Sequence, residues 1–401
     1  MLEAINSQIS DILEQKVTPC PSCGRQDMRP FYSVRSVPVH SVLLMRTREQ
    51  AVTYPRGDIT LALCRFCGFI SNITFDPAAH SYSTEYEETQ SFSPTFRAFH
   101  EQLASQLVKD CDLHGKTIIE IGCGKGDFLP LLCRMGAKRA IGFDPAFVAE
   151  RNPADGCDIQ FIADFYSDKY ADYKADFICC KMTLEHIHNT FDFISGVRRA
   201  IGNSIDTRVF FQVPDARRIL QEGAFWDIYY EHCSYFTAES LKALFERAGF
   251  DVLSTGLEYG DQYLTILAKP AGSENGLAGS VKAPSDGIET FVHNAARMVQ
   301  SWQLLVRQMA RDGLRIAVWG SGSKGVAFLG ALGATDEVEY VVDINPYRQG
   351  KYMCGTGHEI VSPQHLTRVR PDVVIAMNPM YESEIRRDLD QMGIPARLLS
   401  V

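Results

Sequence analysis

At 401 residues the chain exceeds one average domain and has room for two or three. Its composition, 45% hydrophobic and 22% charged, is that of a globular protein in which each domain can bury a core. The net charge of -9, without any basic run, argues against a protein whose main partner is a nucleic-acid backbone.

The first residues, 1–16, are too polar for a signal peptide, and no stretch approaches the roughly 20 apolar residues that span a bilayer. We therefore expect a cytoplasmic protein without a membrane partner. Of the twelve cysteines, four fall in two CxxC pairs and eight are scattered, which favours reduced thiols over disulfides.

The N-terminal segment, to about residue 93, is predicted to contain loops and short strands. A glycine follows each of its CxxC pairs, as expected for two tight knuckles whose thiolates reach one tetrahedral ion. The alternative is two unrelated pairs of buried thiols. We expect a structural zinc site, with the 40 residues between the pairs forming an excursion of their own. Its ligands would be Cys20, Cys23, Cys64 and Cys67.

From Pro94 the pattern changes to helices alternating with strands, which argues for a mainly parallel sheet covered on both faces. The predicted strands are 117–122, 139–144, 159–163, 175–180, 208–213, 250–254 and 262–268.

The first of these strands runs into a glycine loop, TIIEIGCGKGDF, in which Glu120 is followed by Gly122, Gly124 and Gly126. Such a loop lets the backbone approach a ligand at the carboxyl end of a strand, but dinucleotide folds share it. A pyrophosphate at the following helix would be repelled by Asp127, which disfavours a dinucleotide.

Acidic residues end the next two strands. Asp144 lies about 20 residues after the loop, where a carboxylate accepts both ribose hydroxyls, and Asp164 stands where it can meet an adenine edge. Glu185 and His186 follow the fourth strand and border the same crevice. His186 is either a positioned polar group or a direct participant in the chemistry.

An insertion of about 23 residues follows the fifth strand and ends in FWDIYYEHCSYF, 225–236. Loops at this edge of the sheet carry substrate, which sets His232 over the ligand crevice. The alternative is an aromatic lid in which the polar side chains of Glu231 and His232 merely satisfy each other's hydrogen-bonding groups. Phe225, Trp226 and Phe236 are expected to form the wall.

After residue 268 the composition becomes rich in Gly, Ser and Pro, which predicts a linker. A long helix, about 288–312, and a second α/β alternation follow. Its glycine loop, VWGSGSKG, brings Lys324 beside a helix start, which suits a phosphate or a carboxylate. The alternative is a Rossmann-like scaffold that binds nothing.

The motifs EIGCGKG, GFDP, IADF and CKMTLEHI resemble, in order, those of class I S-adenosylmethionine-dependent methyltransferases. The resemblance implies a cofactor site for S-adenosylmethionine in the middle segment. Its residues would be Glu120, Gly122, Cys123, Gly124, Gly126, Asp144, Asp164, Phe165 and Glu185.

The order of motifs along the whole chain resembles that of the three-domain sugar C-methyltransferases. The features that carry the resemblance are the two knuckles, the YEHxxYF insertion and the C-terminal GxGxKG and VVDxNPxxxGKY motifs. The resemblance implies an α/β protein with a zinc-binding domain at 1–93, a class I Rossmann-like methyltransferase domain at 94–270 and a C-terminal Rossmann-like domain at 271–401. The expected reaction is methyl transfer to carbon next to a ketone of a nucleotide-linked deoxy-keto sugar, by a monomer.

In that family a histidine removes the proton from carbon, a role that would fall on His232, with Glu231 and Tyr230 assisting. An imidazole titrates near neutrality, and a tyrosine hydroxyl can stabilise the oxyanion that develops. Substrate contacts would come from Tyr86, His186 and Lys324.

Two departures keep other acceptors open. Glu88 stands where the family often has a tyrosine, and AMNPMY, 376–381, replaces a tryptophan-bearing motif. O- or N-methylation of another small molecule is the alternative function. A zinc-containing RNA methyltransferase is opposed by the net charge, and a non-catalytic scaffold is opposed by the intact motifs.

Overall fold

The structure, a computed structural model, describes residues 18–79, 82–151, 158–272, 285–333 and 336–401. The polar N-terminal stretch and most of the Gly, Ser and Pro-rich linker lie outside these residues. Among the helices within them, none combines the length and the apolar character needed to cross a membrane.

The N-terminal unit is built on a long antiparallel hairpin. Its elements are β1 (Met28–Pro38), α1 (Arg48–Val52), β2 (Arg56–Cys64) and β3 (Ile70–Asn72). The expectation of short strands was wrong, since β1 has 11 residues and β2 has 9. The last six residues of β2 are all buried, because its two faces belong to two different hydrophobic cores. A strand buried on both faces loses the alternation by which sequence reasoning recognises it.

The middle unit is a seven-stranded sheet with helices on both faces. Its elements are α2 (Pro94–Asp110), β4 (Thr117–Ile121), α3 (Leu129–Arg134), β5 (Arg139–Phe143), β6 (Asp158–Ile162), β7 (Phe177–Lys181), α4 (Thr190–Ile201), β8 (Arg208–Pro214), α5 (Ala216–Glu222), β9 (Ser234–Tyr235), α6 (Ala238–Arg247), β10 (Phe250–Glu258) and β11 (Tyr263–Pro270). The strand order is β10-β11-β8-β7-β4-β5-β6, and β11 runs antiparallel to both of its neighbours. All seven predicted strands are present, and the order reverses beside β4, which opens a crevice at its carboxyl end.

The C-terminal unit is a parallel five-stranded sheet of order β14-β13-β12-β15-β16. Its elements are α7 (Ser285–Arg311), β12 (Ile316–Trp319), α8 (Ser323–Leu332), β13 (Tyr340–Val342), β14 (Ile360–Val361), α9 (Leu366–Val369), β15 (Val373–Ala376), α10 (Glu382–Gln391) and β16 (Arg397–Ser400). The predicted fold class is therefore confirmed: a class I methyltransferase sheet joined to a second, Rossmann-like unit.

The short strand β9 belongs to the N-terminal sheet although it lies within the middle unit. Ile70 pairs with Tyr235 and Ser71 with Ser234, and the Asn72 backbone N–H donates to the Cys233 carbonyl at 2.9 Å. The N-terminal sheet thus holds the loop that carries His232. Phe225, Trp226 and Phe236 are buried in the cores behind this loop.

Candidate functional site

A cavity of about 480 Å³ opens at the carboxyl ends of β4, β5, β7 and β8, where loops of all three units meet. Most of the predicted site residues line it, namely Tyr86, Glu120, Gly122, Cys123, Gly124, Asp144, Asp164, Phe165, Glu185, His186, His232 and Lys324. Gly126, Tyr230 and Glu231 are not among its lining residues. Sequence reasoning therefore located the cavity, and the side-chain geometry distinguishes what each residue can do there.

The glycine loop after β4 approaches the cavity with its backbone. Gly122 and Gly124 have φ of 72° and 55°, a left-handed conformation that favours glycine. A Cβ on Gly122 would lie 2.0 Å from Thr183 Oγ1, so no larger residue fits. Asp144 closes the loop by accepting from the N–H of Gly124 at 2.8 Å and of Ala146 at 2.7 Å.

Glu120, at the end of β4, is neutralised by a residue that sequence reasoning did not single out. Lys181, at the end of β7, donates to Glu120 Oε1, and its ammonium lies 3.9 Å from the centre of the Phe128 ring. Burial raises the pKa of Glu120 despite the opposing charge of Lys181. Only the parallel pairing of β4 and β7 brings this pair together.

Asp164 and Phe165 stand at the outer edge of the cavity. Asp164 forms an ion pair with Lys169 and accepts from the Tyr170 hydroxyl at 2.6 Å, and these contacts lower its pKa. Phe165 is 57% exposed. Its ring is accessible for a planar ligand to stack on.

His232 lies on the inner wall beside the side chains of Tyr229, Glu185 and His186. Its Nε2 is 2.8 Å from the Tyr229 hydroxyl and 3.9 Å from Glu185 Oε1, and the His186 ring meets its own ring edge-on at 4.8 Å. Burial, with the charge of Lys324, lowers the pKa of His232 to about 3. The imidazole is therefore neutral near pH 7, but in the free protein it is a weaker base than the expected titration near neutrality would make it.

Glu185 faces the same space as His232. It is 1% exposed, and neither carboxylate oxygen has a hydrogen-bond partner among the described residues. Burial raises its pKa to about 8. An unpartnered buried carboxyl is costly to the fold, and a ligand in the cavity could supply the missing partner.

The two tyrosines of the YYEH stretch point in different directions. The Tyr230 hydroxyl accepts from the Asp76 N–H at 2.9 Å, and the Tyr230 ring packs against Gly57, away from the cavity. It is the adjacent Tyr229 that reaches His232. Local periodicity could not have separated them, because the stretch is neither helix nor strand.

Glu231 lies fully buried behind His232 and does not bond to it. Its Oε1 accepts from the backbone and the hydroxyl of Ser41, the latter at 2.6 Å, and His40 Nδ1 lies 3.9 Å away. The Ser41 hydroxyl also lies 2.7 Å from the Ser323 hydroxyl of the C-terminal unit. Ser41 therefore links Glu231 to the C-terminal unit behind the cavity, and burial raises the pKa of Glu231 to about 7.

The C-terminal glycine loop contributes the opposite wall. Lys324 Nζ lies 2.9 Å from Asp227 Oδ1 and donates to Gln262 Oε1 at 3.3 Å, while Arg218 bonds to the same Asp227. Two cations thus share one carboxylate beside the N-terminus of α8. An anionic ligand group would be favoured there.

The four cysteines of the two knuckles form one cluster. Cys20 Sγ is 3.7 Å from Cys67 Sγ, Cys23 Sγ is 3.6 Å from Cys64 Sγ, and all four lie within 4.8 Å of one another. Tetrahedral Zn–S bonds of about 2.3 Å place sulfur atoms about 3.8 Å apart, so the cluster fits zinc. It is buried, and it packs on the core of the middle unit rather than on the cavity.

Comparison with known families gives two matches along the chain. Residues 95–255 match a family described as a methyltransferase domain, and residues 282–394 match the C-methyltransferase C-terminal domain.

Among curated proteins, C-methyltransferase NovU from Streptomyces niveus is 25% identical over 390 residues, which cover 92% of this chain and 91% of that protein. Ribosomal protein L11 methyltransferase from Mannheimia succiniciproducens is 33% identical over 106 residues, 25% of this chain and 36% of that protein. Among solved structures, magnesium protoporphyrin IX methyltransferase from Synechocystis PCC 6803 aligns with a TM-score of 0.35 and 19% identity, over 46% of this chain and 90% of that one.

Proposed function

We propose that this chain, an S-adenosylmethionine-dependent methyltransferase that is similar over 92% of its length to a C-methyltransferase, methylates carbon next to the ketone of a nucleotide-linked deoxy-keto sugar. The observation that carries the proposal is His232, a neutral buried imidazole on the inner wall of a cavity shared by all three units. Methylation of oxygen or nitrogen makes weaker demands on a base, since those atoms already carry lone pairs.

The chain's own residues would perform the proton transfer as follows. A ring nitrogen of His232 takes the proton, and the C–H electrons form the C=C bond of an enolate, whose negative charge moves to the former carbonyl oxygen. Tyr229 can donate to that oxygen, because burial keeps its pKa well above 10 and the hydroxyl protonated. The enolate carbon then attacks the methyl group, and the C–S electron pair leaves with sulfur.

S-Adenosylmethionine supplies an electrophilic methyl group on a positively charged sulfur. The proposed contacts are the backbone at Gly122 and Gly124, the Asp144 carboxylate for the ribose hydroxyls and Phe165, with Asp164, for the adenine. Glu120, Cys123, Gly126 and Glu185 complete the proposed donor set. Glu185 lines the same cavity as the glycine loop after β4 and lies 3.9 Å from His232 Nε2, where the positive charge of the donor would stabilise its ionised form.

The nucleotide phosphates are proposed to lie against the C-terminal wall. Lys324 and Arg218 face the cavity there, and the helix that begins at Ser323 adds its N-terminal backbone groups. Tyr86 and His186 then flank the sugar ring between the two ends. The four cysteines are proposed to hold a structural zinc ion, which leaves no open coordination position for chemistry.

The proposal is tested with purified protein, S-adenosylmethionine and a panel of nucleotide-linked 4-keto sugars, with the methylated product identified by mass spectrometry. In deuterated water without donor, we expect the acceptor carbon to exchange its proton in the wild type and not in His232→Ala. Donor binding should persist in the variant. Near-normal turnover of His232→Ala would refute the assignment, and methylation without exchange would favour an O- or N-methyltransferase.

A further inference from the structure

Glu88 contacts the glycine loop after β4, here also called the donor loop (residues 122–126), from a different unit of the protein. It lies in the segment 82–93, which connects the N-terminal sheet to α2 and passes over the cavity. Its carboxylate rests directly on Gly124, since a Cβ added to that glycine would lie 2.4 Å from Glu88 Oε1. The residue is partly exposed, but its Oε2 is buried and has no hydrogen-bond partner among the described residues.

Two other acids beside Gly124 have partners of their own. Glu120 Oε1 is paired with Lys181, although its Oε2 also lacks a hydrogen-bond partner among the described residues, and Asp144 accepts from the backbone N–H groups of Gly124 and Ala146. Lys125, whose charge lowers the pKa of Glu88, donates to the carbonyl oxygens of Ala146 at 2.6 Å and of Thr84 at 3.4 Å. Glu88 is therefore left with a carboxylate oxygen that no described side chain or backbone N–H satisfies.

The segment that carries Glu88 is held firmly on both sides. Glu87 bonds to Arg151 and to Asn345, while Thr89 and Ser91 both donate to Asp127 at the end of the glycine loop. These contacts fix the backbone of residue 88 between the donor loop and the C-terminal unit. The contacts of the neighbouring residues therefore set the backbone position from which the Glu88 carboxylate reaches Gly124.

We propose that Glu88 contacts the bound donor and complements its positive charge, so that the site prefers S-adenosylmethionine to S-adenosylhomocysteine. The donor carries a sulfonium and an ammonium against one carboxylate, a net charge of one. The product has lost the sulfonium charge and is neutral overall. A buried carboxylate favours the cation over the neutral molecule, which promotes release of the product after each turnover.

The surroundings of Glu88 add a second, independent signature. Burial raises the pKa of Glu88 to about 8, with Lys125 opposing the rise and Asp144 and Glu87 adding to it. In the free protein the carboxyl is therefore largely protonated at pH 7. Binding of a cation lowers the pKa, so that the proton leaves and donor affinity increases as the pH rises toward 8.

The inference concerns the donor half of the site alone, so it is tested by binding without acceptor or turnover. Calorimetric titrations of both ligands are made on the wild type, on Glu88→Gln and on Glu85→Gln, a matched control whose carboxylate pairs with Arg46 at the surface. We expect Glu88→Gln to weaken S-adenosylmethionine by about tenfold or more, the effect of a lost charge-assisted contact, and S-adenosylhomocysteine by less than about threefold. The control should change neither.

Titrations in buffers of different ionisation enthalpy count the protons released. At pH 7 the wild type should release a substantial fraction of one proton on binding S-adenosylmethionine, and Glu88→Gln should release clearly less. Equal weakening of both ligands would mean that Glu88 contacts a part they share, and unchanged affinities would mean that it contacts neither. Either result overturns the inference, whatever the acceptor proves to be.

Discussion

The adjacent tyrosines of the YYEH stretch offer a matched pair of substitutions. Tyr229→Phe removes the hydroxyl 2.8 Å from His232 Nε2, whereas Tyr230→Phe removes the acceptor of the Asp76 N–H. Loss of one hydrogen bond costs roughly 1 to 2 kcal/mol, and each 1.36 kcal/mol in the transition state is about tenfold in rate. We therefore expect Tyr229→Phe to lower kcat by about 5- to 30-fold with little change in donor affinity.

Tyr230→Phe should behave in the opposite way. Its hydroxyl lies away from the cavity, so the loss of roughly 1 kcal/mol falls on folding stability and kcat stays within about twofold. Steady-state kinetics with the methylated product as readout, and thermal unfolding of both variants, separate the two effects. A larger fall in kcat for a well-folded Tyr230→Phe than for Tyr229→Phe would refute the assignment of Tyr229 as the assisting hydroxyl.

Three further predictions follow from the buried charges and the cysteine cluster. Cys64→Ser should lose stoichiometric zinc and lower Tm by about 10 °C. It should also lower kcat, because β2 is connected through β3 to the loop that carries His232. The control Cys111→Ser, whose cysteine lies outside the cluster, should show none of these effects. The pKa of Glu185 is about 8 in the folded protein, against 4.5 for an ordinary glutamate of the unfolded chain. The contribution of Glu185 to folding stability is therefore fully present below pH 4.5 and is lost as the pH rises to 8. The Tm of Glu185→Gln minus that of the wild type should therefore increase between pH 5 and pH 8, and parallel curves would contradict the shift. Lys324→Met should raise KM for the nucleotide-linked acceptor at least about tenfold without altering donor affinity. The surface control Lys242→Met should leave KM unchanged. An unchanged KM in Lys324→Met would contradict the proposal that Lys324 binds the phosphates.

The parts of the fold that sequence reasoning recovered are those encoded locally. The strands of the middle unit are short apolar runs separated by helices, and the glycine loop and the CxxC pairs depend on spacings of a few residues. Each signal lies within one element, so it needs no knowledge of the chain elsewhere. The order of those elements then sufficed to locate the cavity at the carboxyl end of β4.

The parts that it did not recover depend on contacts between distant segments. Ser41 meets Glu231 across 190 residues, Lys324 meets Asp227 across 97, and Lys181 meets Glu120 across 61. No periodicity within either partner announces such a pair. The polar partners of the site are therefore a product of tertiary packing, whereas its backbone frame is a product of local sequence.

The arrangement of the N-terminal sheet connects the cysteine cluster, which lies outside the cavity, to the loop that carries His232. The knuckle at Cys64 ends β2, the chain returns as β3, and β3 pairs with β9 directly after His232. The same unit supplies Ser41, which holds Glu231, and Gly57, whose missing side chain makes room for the ring of Tyr230. Three consecutive residues of the YYEH stretch are thus oriented by the N-terminal unit, while the cavity in front of them belongs largely to the other two. A metal ion that fixes the knuckles would then set the position of His232, the proposed base, without touching the substrate.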